Sequence, residues 1–106
     1  EQYFGDAVSF AEESDLEGLR IPHFYSPFYV YKYATGLSAS IALSKKVLNG
    51  TEQDRQSYLD FLRSGGSLYP IESLRKAGVD MQKEEPVKDA LSTFSSLLDQ
   101  AESLLS

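Results

Sequence analysis

The chain has 106 residues, 42% of them hydrophobic and 25% charged, enough for one folded domain with a modest core and too apolar for a disordered segment. A formal net charge of -6 argues against nucleic acid and against an anionic membrane surface as partners. No apolar run approaches the roughly 18 residues of a membrane-spanning helix, and the lack of cysteine excludes disulfides, thiolate metal sites and thiol nucleophiles.

The first residues hold Tyr3, Phe4, Val8 and Phe10 without a helical period and read as an irregular start. Acidic positions at Glu1, Asp6, Glu12, Glu13 and Asp15 are unlike a signal peptide, so a cytoplasmic location is expected. Glu12 to Arg20 allows a short helix, weakened by Gly18 and closed by Pro22. Ser26-Pro27 then reads as cap and first residue of a long helix through Tyr29, Tyr33, Leu37 and Leu43. Asn49-Gly50 would supply a left-handed residue to end it. The front of this helix is apolar or aromatic on nearly every face, as in a helix buried inside something larger.

A second helix is expected from Thr51 to Arg63, stopped by Ser64-Gly65-Gly66. Pro70 opens a short third helix that Gly78 ends, and a connector carrying Met81 follows. Pro86 starts the last helix, in which Val87, Ala90, Leu91, Phe94, Leu97, Leu98, Ala101, Leu104 and Leu105 make one apolar stripe. No segment alternates long enough to be a strand, so the fold class is all-α.

The chemically unusual stretch runs from His23 to Tyr33 and holds the one histidine with Tyr25, Tyr29, Tyr31 and Tyr33. Where helical, Tyr25, Tyr29 and Tyr33 would share one stripe. Two readings of these rings stand side by side. They are large core side chains whose hydroxyls bond backbone carbonyls, or they are phenol donors aimed into a cleft beside a histidine. Phenols stabilise an oxyanion without bringing charge of their own.

His23 through Gly36 (HFYSPFYVYKYATG), with Gly65-Gly66-Ser67, Pro70, Leu74 to Met81 (LRKAGVDM) and Pro86 with its helix, resembles the C-terminal end of oligoendopeptidase F. The likeness covers nearly everything from Ile21 onward, in order. It implies a zinc endopeptidase of the thimet-oligopeptidase type, mostly helical, with a deep channel that admits short peptides. In that family a His-Glu-x-x-His helix supplies two zinc ligands and the general base, and a further glutamate completes the site. A histidine and tyrosines downstream hold substrate and stabilise the tetrahedral oxyanion. By this resemblance Tyr31, Tyr29 and His23 take the catalytic role, and His23, Tyr25, Tyr29 and Tyr33 bind substrate.

With a single histidine, His-Glu-x-x-His is absent from this chain. The acidic pairs Glu12-Glu13 and Glu84-Glu85 read as solvated surface, and Gly65-Gly66-Ser67 as a helix stop without the lysine of a phosphate loop. Residues 1–106 are therefore expected to be the C-terminal helical part of a catalytic domain, binding no zinc alone and inactive alone. Its partners would be short peptides and the remainder of the peptidase chain, which carries the zinc motif. Two alternatives are a stand-alone helical module that binds a peptide or protein through its aromatic stripe, and a purely structural helical bundle.

Overall fold

Glycine, proline and a handful of caps decide where the helices of this chain break. The computed structural model describes residues 4–105, which contain helices and turns and no strand. The chain divides into two units, Glu1–Lys32 and Tyr33–Ser106.

Among its described residues the first unit is built from three 3-10 helices, Gly5–Ala7, Glu12–Arg20 and Pro22–Tyr25, with no fully buried residue in any of them. The short helix expected over Glu12 to Arg20 is thus present in the tighter 3-10 form. Pro22 opens the Pro22–Tyr25 turn immediately after it, where a missing backbone donor costs nothing.

The four α-helices are α1 (Tyr31–Asn49), α2 (Glu52–Ser64), α3 (Pro70–Lys76) and α4 (Glu85–Leu105). Helix α1 starts later than the sequence suggests. Ser26 closes the preceding 3-10 helix in extended backbone, and Phe28 takes a positive φ of 58°. A left-handed residue cannot continue a right-handed helix. Proline followed by a positive φ makes a tight turn instead, so Pro27 is a turn residue and not a helix start. The Tyr25, Tyr29, Tyr33 stripe is not formed, because Tyr25 and Tyr29 precede the helix.

The end of α1 also differs from expectation in its cause. Neither Asn49 nor Gly50 has a positive φ. Glycine is required at position 50 for space: a Cβ there would lie 2.4 Å from the Lys46 carbonyl oxygen and 2.8 Å from Asp54 Oδ2. The carboxylate of Asp54 occupies that place because it closes a reciprocal cap on α2. The Asp54 amide donates to Thr51 Oγ1 at 3.2 Å, while the Thr51 amide donates back to Asp54 Oδ2 at 2.9 Å. Lys46 Nζ adds an ion pair to Asp54 Oδ1 at 3.3 Å.

At the far end of α3, Gly78 has φ 87° and the chain closes in a Schellman turn. The Val79 amide donates to the Leu74 carbonyl at 2.9 Å and the Gly78 amide to the Arg75 carbonyl at 3.0 Å. This turn drops Val79 into the core, which consists of Ala39, Leu43, Ala77 and Val79, with Ala42, Tyr58, Phe61, Leu74 and Met81 packed around it. Helices α2 and α3 pack on each other across the glycine turn.

Helix α4 has the expected apolar stripe, but the stripe is exposed in this chain. Phe94 is 67% and Leu97 59% accessible, and Pro86 is the one buried residue of the helix. Large-to-small losses at these two positions, expected from a packed stripe, therefore do not apply to the chain by itself. No helix among the described residues is long and apolar enough to cross a membrane.

Two outcomes test the caps. Thr51, through its amide and then its hydroxyl, and next Lys46 hold the Asp54 carboxyl down at about 2. A carboxyl depressed in the folded state stabilises fully above its unfolded value near 4 and loses that contribution as pH falls through about 2. Asp54→Asn should lower the melting temperature at pH 6 and flatten its decline between about pH 4 and 2. Gly50→Ala, which forces a methyl against a backbone oxygen, should cost about 1–3 kcal/mol in denaturant unfolding.

Candidate active-site segment

The segment that carries the histidine and the tyrosines is shaped by its turns. Pro22 and the 3-10 turn Pro22–Tyr25 present His23, and the reversal at Pro27-Phe28 brings the chain back so that Tyr29 meets it. The imidazole of His23 and the ring of Tyr29 lie 5.5 Å apart between centroids, tilted by 38°. Such a separation and tilt suit an attractive edge-to-face or offset contact between rings. Tyr29 is half-buried and His23 exposed.

Tyr25 turns the other way. Its hydroxyl donates to the carbonyl oxygen of Leu19, which ties the two neighbouring 3-10 helices together. Its ring is 69% accessible. For Tyr25 the structural account of a phenol, a hydroxyl bonded to a backbone carbonyl, is the one realised. Tyr31 opens α1, and Tyr33 follows in the second unit; both rings are largely exposed, at 61% and 56%. None of these rings lies in a sealed apolar interior.

One contact was not read from the sequence. The ammonium of Lys32 sits 3.6 Å from the centre of the Tyr29 ring, well inside the range of a cation–π interaction. The signal was present as a lysine three residues after a tyrosine. That spacing places two side chains on one helical face, though here Tyr29 lies just before the helix.

Among the described residues, no three histidine, cysteine, aspartate or glutamate side chains converge as a metal site. The residues present do not fit a zinc ion on their own. What the segment does offer chemically is hydrogen-bond donors: beside Tyr25, the phenols of Tyr29, Tyr31 and Tyr33, an imidazole and an ammonium within one short stretch.

The profile of Peptidase family M3 matches residues 1–93, and the chain belongs to that family. The resemblance drawn from the HFYSPFYVYKYATG segment is borne out among its relatives. Oligopeptidase PepF of Bacillus subtilis is 49% identical over 104 residues, covering 98% of this chain and 16% of the relative. An oligoendopeptidase F homolog of Borreliella burgdorferi is 43% identical, covering 93% of this chain and 17% of the relative. The crystal structure of a Chlamydophila abortus protein described as a peptidase superposes with a TM-score of 0.80 at 42% identity. It covers 97% of this chain and 17% of that one. The chain thus spans about a sixth of the length of these relatives.

Proposed function

We propose that this chain is the C-terminal helical part of a zinc-dependent oligoendopeptidase that hydrolyses short peptides in a deep channel. Within it, residues 1–106 supply substrate-binding and oxyanion-stabilising side chains, and the remainder of the peptidase supplies the zinc ligands. The observation that carries this reading is the meeting of His23 and Tyr29 just ahead of Tyr31, in a chain of Peptidase family M3. A cytoplasmic site of action accompanies it, in keeping with a chain free of cysteine.

The chemistry asked of this segment follows from peptide hydrolysis. As a water oxygen bonds to the scissile carbonyl carbon, the carbonyl electron pair moves onto oxygen and a tetrahedral oxyanion forms. A phenol whose O–H points at that oxygen donates a stronger hydrogen bond to the oxyanion than to the ground-state carbonyl, and so lowers the barrier. Collapse of the intermediate breaks the carbon–nitrogen bond, and the proton given up by the attacking water is delivered to the departing amine. Tyr31 and Tyr29 are the donors in this scheme. His23, beside Tyr29, binds the peptide backbone, and Tyr25 and Tyr33 line the approach. Zinc, if held by the remainder of the peptidase, would supply Lewis-acid chemistry at the carbonyl; none of the residues named above would ligate it.

The exposed stripe of α4 fits the same reading, since a row of leucines ending in Leu104 and Leu105, 86% and 88% accessible, calls for a cover. The remainder of the peptidase provides it.

Two measurements test the proposal. In the full-length peptidase, Tyr31→Phe or Tyr29→Phe should lower kcat by about tenfold or more with a smaller change in KM, as for a donor used mainly in the transition state. Unchanged kcat in both variants would remove the oxyanion role. Leu97→Ala should change the stability of this chain alone by about 0.5 kcal/mol or less. In the full-length protein the same change should cost about 2–5 kcal/mol, and equal effects in the two would show that nothing covers the stripe.

A further inference from the structure

Lys32 has no role in the chemistry above, yet its ammonium lies 3.6 Å from the Tyr29 ring centre. The geometry points to Lys32 as a positioning residue for Tyr29, an inference that rests on the oxyanion role proposed for that tyrosine. Three features of the site support it.

The first is restraint. Tyr29 follows a turn with a positive φ at Phe28 and precedes the first residue of α1, so no regular backbone hydrogen-bond ladder fixes its side chain. Its ring meets the imidazole of His23 at 5.5 Å and the ammonium of Lys32 at 3.6 Å. A cation over an aromatic face is drawn to the negative lobe of the ring quadrupole, which restrains the tilt of the ring and with it the position of the phenol oxygen. Lys32 is in α1, so its backbone is a firm point from which to reach the ring.

The second is polarisation. A positive charge against the face draws electron density from the phenol and makes its O–H a better donor to a developing negative charge. The third is charge itself. The oxyanion that accepts from Tyr29 gains a negative charge close to Lys32, whereas the ground-state carbonyl does not. All three effects act in the transition state more than in substrate binding, which separates this role from that of a lysine that merely attracts peptides.

The test uses the full-length peptidase and four variants: Tyr29→Phe, Lys32→Gln, Lys32→Arg and the double Tyr29→Phe/Lys32→Gln. Lys32→Gln should lower kcat about three- to tenfold with KM within about twofold, the span a cation on an aromatic face provides. Lys32→Arg should restore most of the loss, since guanidinium also stacks on aromatic faces. In the Tyr29→Phe background Lys32→Gln should cost almost nothing more, because its effect passes through the missing hydroxyl. A second readout is binding of a phosphinic peptide, a stable mimic of the tetrahedral intermediate. Its Kd should rise with Lys32→Gln by the factor lost in kcat, while the Kd of the peptide product stays unchanged.

An unchanged kcat in Lys32→Gln, failure of arginine to rescue, or an equal loss with and without the Tyr29 hydroxyl would each overturn the role of Lys32. The Tyr29→Phe variant alone reads the donor role of Tyr29. Should it be impaired while Lys32→Gln is not, the donor stands and the positioning residue falls. Should it be unimpaired, the donor role of Tyr29 and the positioning role of Lys32 fall together, and Tyr31→Phe alone then decides the oxyanion proposal.

Discussion

The arrangement of the candidate site depends on one backbone reversal. At Phe28 the chain adopts a positive φ, an uncommon state for a bulky aromatic residue with no glycine freedom to excuse it. That single angle delays α1 to Tyr31 and sets Tyr29 outside the helix, where it meets His23. A helix running from Pro27 would have carried Tyr29 and Tyr33 around a common stripe and left His23 behind. The turn exchanges a regular row of phenols for a local cluster of unlike groups, which is the more useful arrangement for chemistry.

A second constraint concerns cover. The buried core of the second unit amounts to Ala39, Leu43, Ala77 and Val79, all small or medium in size. Against it stand long rows of exposed apolar and aromatic side chains on α1 and α4, including Leu37, Leu48, Phe94 and Leu97. A surface this apolar is unusual for an independent domain. The relatives that the chain matches are about six times as long as the part matched.

Much of this was legible in the sequence, for identifiable reasons. Helices α2, α3 and α4 end within a residue or two of where their caps and glycines suggested, because Thr51, Gly65, Pro70 and Gly78 act through local geometry alone. The all-α class and the peptidase kinship were legible for similar reasons, from period and from motif. The late start of α1 was not. Ser26-Pro27 satisfies the rules of a helix N-terminus, and nothing local announces that Phe28 will turn left-handed. Gly50 was read as a left-handed cap when the reason for glycine there is the carboxylate of Asp54, packed four residues ahead in the chain. Within the site, the contact of His23 with Tyr29 is a fact of the Pro27-Phe28 turn that spacing does not encode, whereas Lys32 stands three residues after Tyr29 and its spacing is a weak local signal. The apolar stripe of α4 is legible for the same reason that its cover is not: periodicity tells which face is apolar, not what lies against it.

The caps around α2 and α3 have a kinetic side. Thr51 with Asp54, Lys46 with Asp54, and Val79 with Leu74 each close a loop of only a few residues. Short loops cost little chain entropy and close in well under a microsecond. The stretch from Lys46 to Val79 is thereby equipped to organise early, ahead of the contacts that span longer separations in the chain. It provides a preformed platform for the rest of the second unit, the bare leucine helix α4 included.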